Sequence, residues 1–185
     1  FLVFFSDNGG ANHPYYDNTP LRDHKGSVYE GGIRVPFFAS YPGCIPAGSV
    51  CDLPVTSLDI FATACSLAGI KPETTHPIDS RDMLPVLIGK SKAATHRTLY
   101  WHFPSAGLAV SDGDLKLVLA KSTKPQLFDL ATDTSEKNDL AEQRPEEVKR
   151  LKALLEEWQA QNVKPLWGTG SGSKSNATTP PSAKL

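Results

Sequence analysis

The chain opens on five consecutive apolar residues, Phe1-Leu2-Val3-Phe4-Phe5, with no polar residue among them. An unalternating run of this kind predicts a strand buried on both faces, as in a parallel sheet covered by helices. Such a strand needs neighbours, and the rest of the chain supplies few. Ser6-Asp7-Asn8-Gly9-Gly10 ends the run with turn chemistry, and a polar loop containing Pro and Tyr follows to about residue 25. Loops of this length are usually functional. After Gly31-Gly32, the stretch Ile33-Arg34-Val35-Pro36-Phe37-Phe38-Ala39 predicts a second strand, with Pro36 near its start, where a missing ladder donor is tolerated. Tyr41-Pro42-Gly43 stops it.

Further on, the period changes twice. Residues 58–68 predict a helix, with Ser57 as N-cap, Asp59 in the first turn and Gly69 just past the end. A shorter helical turn is expected over residues 83–88, ended by Gly89. Beyond the polar stretch 90–97, strand-like runs at 98–103, 107–110, 115–120 and 126–130 are separated by Gly, Pro, Asp and Ser, which predicts a small antiparallel sheet. Pro145 suits the first position of a helix, and Glu146 and Glu147 favour its positive end. Val148, Leu151, Leu154, Leu155 and Trp158 share one face that should pack on the sheet, leaving Lys149, Arg150 and Lys152 to solvent. From about residue 168 the composition falls to Gly, Ser, Thr, Pro, Lys, Asn and Ala, too polar to form a core, so a disordered tail or linker is expected over 168–185. Asn176-Ala177-Thr178 fits a glycosylation acceptor, relevant only in a secreted eukaryotic protein. The fold class expected is α/β. Residues 1–95 would close a mostly parallel α/β/α core sheet, and residues 96–167 would form the antiparallel sheet packed by one helix.

Composition narrows the partners. With 39% hydrophobic and 21% charged residues and a net charge of -1, the chain is an ordinary globular mixture without the basic footprint that binds nucleic acid or an anionic membrane. No apolar run approaches the roughly 18 residues of a membrane span, and no signal-peptide pattern is present. Because the first residue is Phe and leads straight into an apolar run, the true N-terminus and any export signal are expected upstream. Cys44, Cys51 and Cys65 lack zinc-site spacing. Cys65 reads as a buried thiol in a helix. Cys44 and Cys51 bracket a turn-rich stretch, and the sequence leaves open a disulfide between them in an oxidising compartment.

Candidate chemistry starts at Asp7 and Asn8, which follow a strand directly; in open α/β sheets, ligands bind at the carboxyl ends of strands. A carboxylate beside a side-chain carbonyl offers two hard oxygen donors for calcium or magnesium, with Gly9 and Gly10 allowing close backbone approach. Taken alone, an ordinary Asp-Asn-Gly turn is the more economical reading. The order of the following segments changes the weighing: Ser6-Asp7-Asn8-Gly9-Gly10, then Pro20-Leu21-Arg22-Asp23-His24-Lys25-Gly26, then Tyr29-Glu30-Gly31-Gly32-Ile33-Arg34-Val35-Pro36. Asp112-Gly113-Asp114-Leu115-Lys116-Leu117-Val118 and Gln126-Leu127-Phe128-Asp129-Leu130, with Asp133 and Glu136, continue the pattern. Together these resemble the C-terminal part of the sulfatase family within the alkaline phosphatase superfamily, over most of the chain through about residue 140.

That resemblance implies a sulfuric ester hydrolase in which Asp7 and Asn8 are two of the calcium ligands and Lys25 contacts the sulfate group as a catalytic and substrate-binding residue. Calcium is implied ahead of magnesium. A divalent ion neutralises sulfate oxygens and polarises sulfur, while a lysine places a compact positive charge on oxygens gaining negative charge. Glu30 and Arg34 read as an ion pair steadying the loop. None of His13, His24, His76, His96 and His102 has metal-type i, i+4 pairing. His102, at a strand end in the C-terminal subdomain, is the candidate for a substrate contact.

The family's nucleophile is a formylglycine made within a Cys/Ser-x-Pro/Ala-x-Arg motif, and no such motif is present: Cys44-Ile45-Pro46-Ala47-Gly48 has Gly where Arg is required. The nucleophile and the remaining metal ligands are therefore expected in the N-terminal part of the same enzyme, which makes that part a partner and this chain inactive by itself. The resemblance further implies a sulfated small molecule or glycan as substrate and an exported protein. Two alternatives stay open, a phosphomonoester or phosphonate hydrolase of the same superfamily and a non-catalytic binding or assembly module.

Overall fold

The computed structural model describes residues 1–72, 77–96, 98–121 and 123–163. His76, the acceptor at Asn176 and the expected tail over 168–185 lie outside the described residues. In chain order the elements are β1 (Leu2–Phe5), α1 (Glu30–Ile33), β2 (Phe37–Ser40), α2 (Asp59–Leu67), α3 (Leu84–Leu87), β3 (Thr98–Phe103), β4 (Gly107–Asp112), β5 (Leu115–Ala120), β6 (Gln126–Asp129) and α4 (Pro145–Ala160). This is the mixed α/β architecture expected, with a four-stranded antiparallel sheet packed by one helix.

That sheet has the order β3-β4-β5-β6, every pair antiparallel, so the strands follow one another as a meander. Its side chains alternate between two covered faces, as the period of two requires. Val110, Leu117 and Leu127 meet Leu151 and Leu155 of α4, with Tyr100 and Trp158 packed alongside. The Tyr100 and Trp158 rings stack with centroids 5.0 Å apart and planes 2° apart. The opposite face, carrying Ala109, Val118 and Phe128, receives Val28 and Tyr29 from the loop before α1, with Trp101 alongside. The C-terminal sheet is thus mounted directly on the segment that bears the sulfatase-like motif.

β1 pairs antiparallel with β2, placing Phe4 opposite Phe38 and Phe5 opposite Phe37. The expectation that β1 is covered on both faces is not met among the described residues: Leu2 is 62% exposed, Phe4 66% and Phe38 61%. A two-stranded sheet offers no second layer, so alternate side chains stay in solvent. The strand expected from Ile33 also starts later, at Phe37, because Glu30–Ile33 forms a helical turn first. The cause is tertiary. The first amide of α1, at Glu30, donates to Glu136 Oε2 at 2.7 Å, a cap supplied from 106 residues away.

Helix α2 likewise differs at its start. Leu58, not Ser57, holds the cap position, and no side chain caps it. Asp59, fully buried, instead accepts from the amides of Thr56 and Arg81 at 2.9 Å each and pairs with His96 Nε2 at 2.7 Å, tying α2 to the segments before α3 and β3. All three cysteines are free, Cys44 and Cys51 exposed and Cys65 half-buried, so the disulfide left open by the sequence is not formed.

Candidate functional site

Asp7 and Asn8 begin the loop that leaves β1. Asn8 Nδ2 donates to Asp7 Oδ1, and Ser6 Oγ donates to the Asn8 carbonyl at 2.8 Å, so the two side chains are held side by side. The Asn8 amide holds the Asp7 carboxyl below the usual carboxylate range, and the charge of Lys25 adds to the effect. Asn8 Oδ1 faces the other way: it is buried and has no hydrogen-bond partner among the described residues. The Asp7 carboxylate and the orphaned Asn8 oxygen are hard donors on adjacent residues, a donor type that suits calcium or magnesium.

Lys25 reaches the same neighbourhood through the backbone, its amide donating to the Gly10 carbonyl at 2.9 Å. Asn18 staples the two arms of the loop. Its Oδ1 accepts from the Gly10 amide at 3.0 Å, and its Nδ2 donates to the carbonyls of Gly10 at 3.1 Å and Asp23 at 3.2 Å. Behind them sits α1. Gly9 donates to the Gly32 carbonyl at 3.0 Å and Gly31 to the Arg22 carbonyl at 2.7 Å. A Cβ on Gly9 would lie 1.8 Å from the Gly31 oxygen, and one on Gly31 would lie 2.3 Å from the Asp23 oxygen, so only glycine allows this backbone contact on both sides.

The structure therefore brings Asp7, Asn8 and Lys25 to one loop cluster. It does not bring His102 there. His102 and Tyr100 lie on the α4 side of the sheet, since alternate residues of β3 share a face. The neighbouring Phe103 points to the loop instead: a Cβ on Gly26 would stand 3.8 Å from Phe103 Cε1, and the ring is 43% exposed. Phe103 escaped the sequence reading because the face of a strand end is set by packing; the alternation from Trp101 was the signal that could have found it.

Glu30 and Arg34 pair at 3.6 Å, the structural role expected of them, but the closer partner of Glu30 was not anticipated. Lys116 Nζ, fully buried, lies 2.7 Å from Glu30 Oε1 and 2.8 Å from Glu136 Oε1. Burial pushes the Glu136 carboxyl up, against the pull of Lys116. Arg22 closes the arrangement, its Nη1 donating to the Glu136 carbonyl at 3.1 Å while its guanidinium lies 3.9 Å from the centre of the Tyr29 ring.

Among the described residues no group of three or more His, Cys, Asp and Glu side chains is placed to hold a metal. Asp7 and Asn8 supply at most part of a coordination sphere. Two hollows of about 420 and 440 Å³ lie elsewhere, one lined by Ser80, Arg81, Asp82 and Thr95, the other by Leu21, Arg22, Ser135 and Lys137. Neither is lined by Asp7, Asn8 or Lys25; Asp7 and Lys25 are exposed and Asn8 half-buried.

Comparison with known proteins agrees with the motif order. Residues 13–161 match the family described as N-sulphoglucosamine sulphohydrolase, C-terminal. The chain is 32% identical over 183 residues to N-acetylgalactosamine-6-O-sulfatase of Bacteroides thetaiotaomicron, covering 84% of this chain and 35% of that one. It is 37% identical over 120 residues to N-acetylgalactosamine-6-sulfatase of Canis lupus familiaris, covering 63% of this chain and 23% of that one. Among solved structures, Ps i-CgsB superposes with a TM-score of 0.82 at 32% identity, covering 89% of this chain and 37% of its own. The chain thus spans about a quarter to a third of the length of the curated relatives named here.

Proposed function

The chain belongs to the family of N-sulphoglucosamine sulphohydrolase C-terminal regions, and from that premise we propose that the complete protein is a sulfuric ester hydrolase whose cation and sulfate site includes Asp7, Asn8 and Lys25. The observation that carries this reading is the Asn8 Oδ1, buried and without a hydrogen-bond partner among the described residues, on the residue next to the Asp7 carboxylate, with Lys25 held to the same loop. Asp7 and Asn8 would hold calcium; when bound, such an ion neutralises sulfate oxygens and makes the sulfur more electrophilic. Lys25 adds a compact positive charge on an exposed side chain, suited to a sulfate oxygen that gains charge as the ester bond breaks.

Calcium takes about six to eight oxygen ligands, so further donors, together with the formylglycine nucleophile of the family pattern, belong to parts of the complete protein beyond residues 1–185. Those parts would also close the open surface over Asp7 and Lys25. A sulfated glycan is the favoured substrate class, since the relatives from Bacteroides thetaiotaomicron and Canis lupus familiaris carry a sugar sulfate in their names. Phe103 at the rim offers an apolar ring on which a sugar face can lie. Export follows from the same family reading.

The test is sulfate release from N-acetylgalactosamine 6-sulfate and from an aryl sulfate by the complete protein. Asp7→Asn and Lys25→Ala should each lower kcat/KM by on the order of 10²–10³-fold, and chelation should abolish activity that added calcium restores. Preferential cleavage of phosphate esters, or full activity in both variants, would sink the proposal.

A further inference from the structure

Lys116 sits in β5 at a position flanked by Leu115 and Leu117, and it is buried completely. Burying an ammonium group is costly unless it is paired, and well-packed apolar residues often stabilise a core better than a buried ion pair does. Stability alone is therefore a poor account of a lysine here. What the lysine does provide is one charge shared by two carboxylates, hydrogen-bonded to Glu30 and ion-paired with Glu136, which no apolar side chain could supply. Its Nζ lies 2.7 Å from Glu30 Oε1 and 2.8 Å from Glu136 Oε1, and the other Glu136 oxygen accepts the Glu30 amide at 2.7 Å.

Glu30 is the first residue of α1, and α1 is the surface on which both arms of the candidate site rest. One arm is the loop after β1, in which Gly9 bonds to Gly32 at 3.0 Å and can approach the Gly31 oxygen only because it lacks a Cβ. The other is the segment leading to Lys25, in which Arg22 accepts the Gly31 amide at 2.7 Å. A displacement of α1 would move Asp7 and Asn8 relative to Lys25, since each arm is moulded to a different side of the same turn.

We infer that Lys116 is a positioning residue for the proposed cation and sulfate site, acting through Glu30 and Glu136 to hold α1 in the one place where both arms fit. This deepens the sulfatase reading and rests on it. Lys116 touches neither Asp7 nor Lys25; its contribution is the relative placement of the two, and placement errors far smaller than a side chain degrade such sites.

The experiment compares the complete protein with its Lys116→Met, Glu136→Gln and Leu155→Ala variants. Leu155, a residue of α4 buried against the other face of the sheet, serves as a control for general destabilisation. Lys116→Met and Glu136→Gln should weaken calcium binding, measured by titration calorimetry, and lower kcat by on the order of 10–100-fold, the effect expected of residues that orient metal ligands. Both should also speed hydrogen exchange at the Gly9 and Gly31 amides. Leu155→Ala should lower the melting temperature while leaving calcium affinity and those two amides at wild-type values. If Lys116→Met does not fold, Glu136→Gln carries the comparison. Unchanged calcium affinity, kcat and Gly9 and Gly31 exchange in the folded variants would overturn the inference. A wild-type protein that cleaves no sulfate ester would instead overturn the functional reading, and the two amides would still decide whether Lys116 holds the loop.

Discussion

At the scale of single residues, Asp7 carries a measurable electrostatic signature. The Asn8 side-chain amide, followed by the charge of Lys25, favours its ionised form and holds its carboxyl below the usual carboxylate range. A depressed value in the folded state means that the stabilisation is present above the ordinary aspartate pKa of about 3.9 and is lost as the pH falls through the lower, folded value. An NMR titration of the complete protein, freed of calcium, should place Asp7 below the ordinary value, and Asn8→Leu should move it back upward; an unmoved midpoint would mean that the amide is not the cause. Motif order singled out Asp7 and Asn8 as adjacent residues, and their side-chain contact is local. The roles of Asn18, Glu136 and Lys116 were not legible, because they depend on distant partners. Lys116 meets a carboxylate 86 positions away, and nothing local to β5 signals a lysine that is buried.

At the scale of elements, legibility followed the range of the forces involved. Strands β3 to β6 and helix α4 were read nearly to the residue, since their limits depend on local turn chemistry and on a side-chain period that packing merely ratifies. The α4 stripe of Leu151 and Leu155 is fully covered by the sheet. Leu151→Ala should therefore cost about 2–5 kcal/mol, read as a shift in the urea midpoint at constant slope, with exchange at Gly9 left as in the parent. A cost well below that range would mean that α4 collapses onto the cavity or was never firmly docked. The strand expected from Ile33 was displaced because the Glu136 carboxylate caps a helical turn at Glu30, and Ser57 lost its cap to a buried Asp59 with three partners of its own. In each case a tertiary contact outweighed a local preference worth about 1 kcal/mol.

At the scale of the whole molecule, two regions differ in how well they are covered. The meander is buried on both faces, by α4 on one side and by Val28 and Tyr29 on the other. The β1–β2 pair leaves Leu2, Phe4 and Phe38 in solvent, and Leu58 and Phe61 at the start of α2 are also exposed, at 57% and 52%. Two strands without a second layer are marginal in water. In the chain of residues 1–185 alone, amides of β1 and β2 should exchange far faster than those of β4 and β5, and the difference should narrow in the complete protein. Equal protection in the isolated chain would mean that the small sheet is self-sufficient. Periodicity and motif order are local properties of a chain, and they were enough to point to the family and to the C-terminal meander with its helix. That Phe103 rather than His102 meets the Lys25 loop, and that a buried lysine joins the C-terminal sheet to the turn behind Asp7, emerged from packing alone. Those outcomes depend on which side chains enclose one another, and the free energy of a buried charge is set by its enclosure.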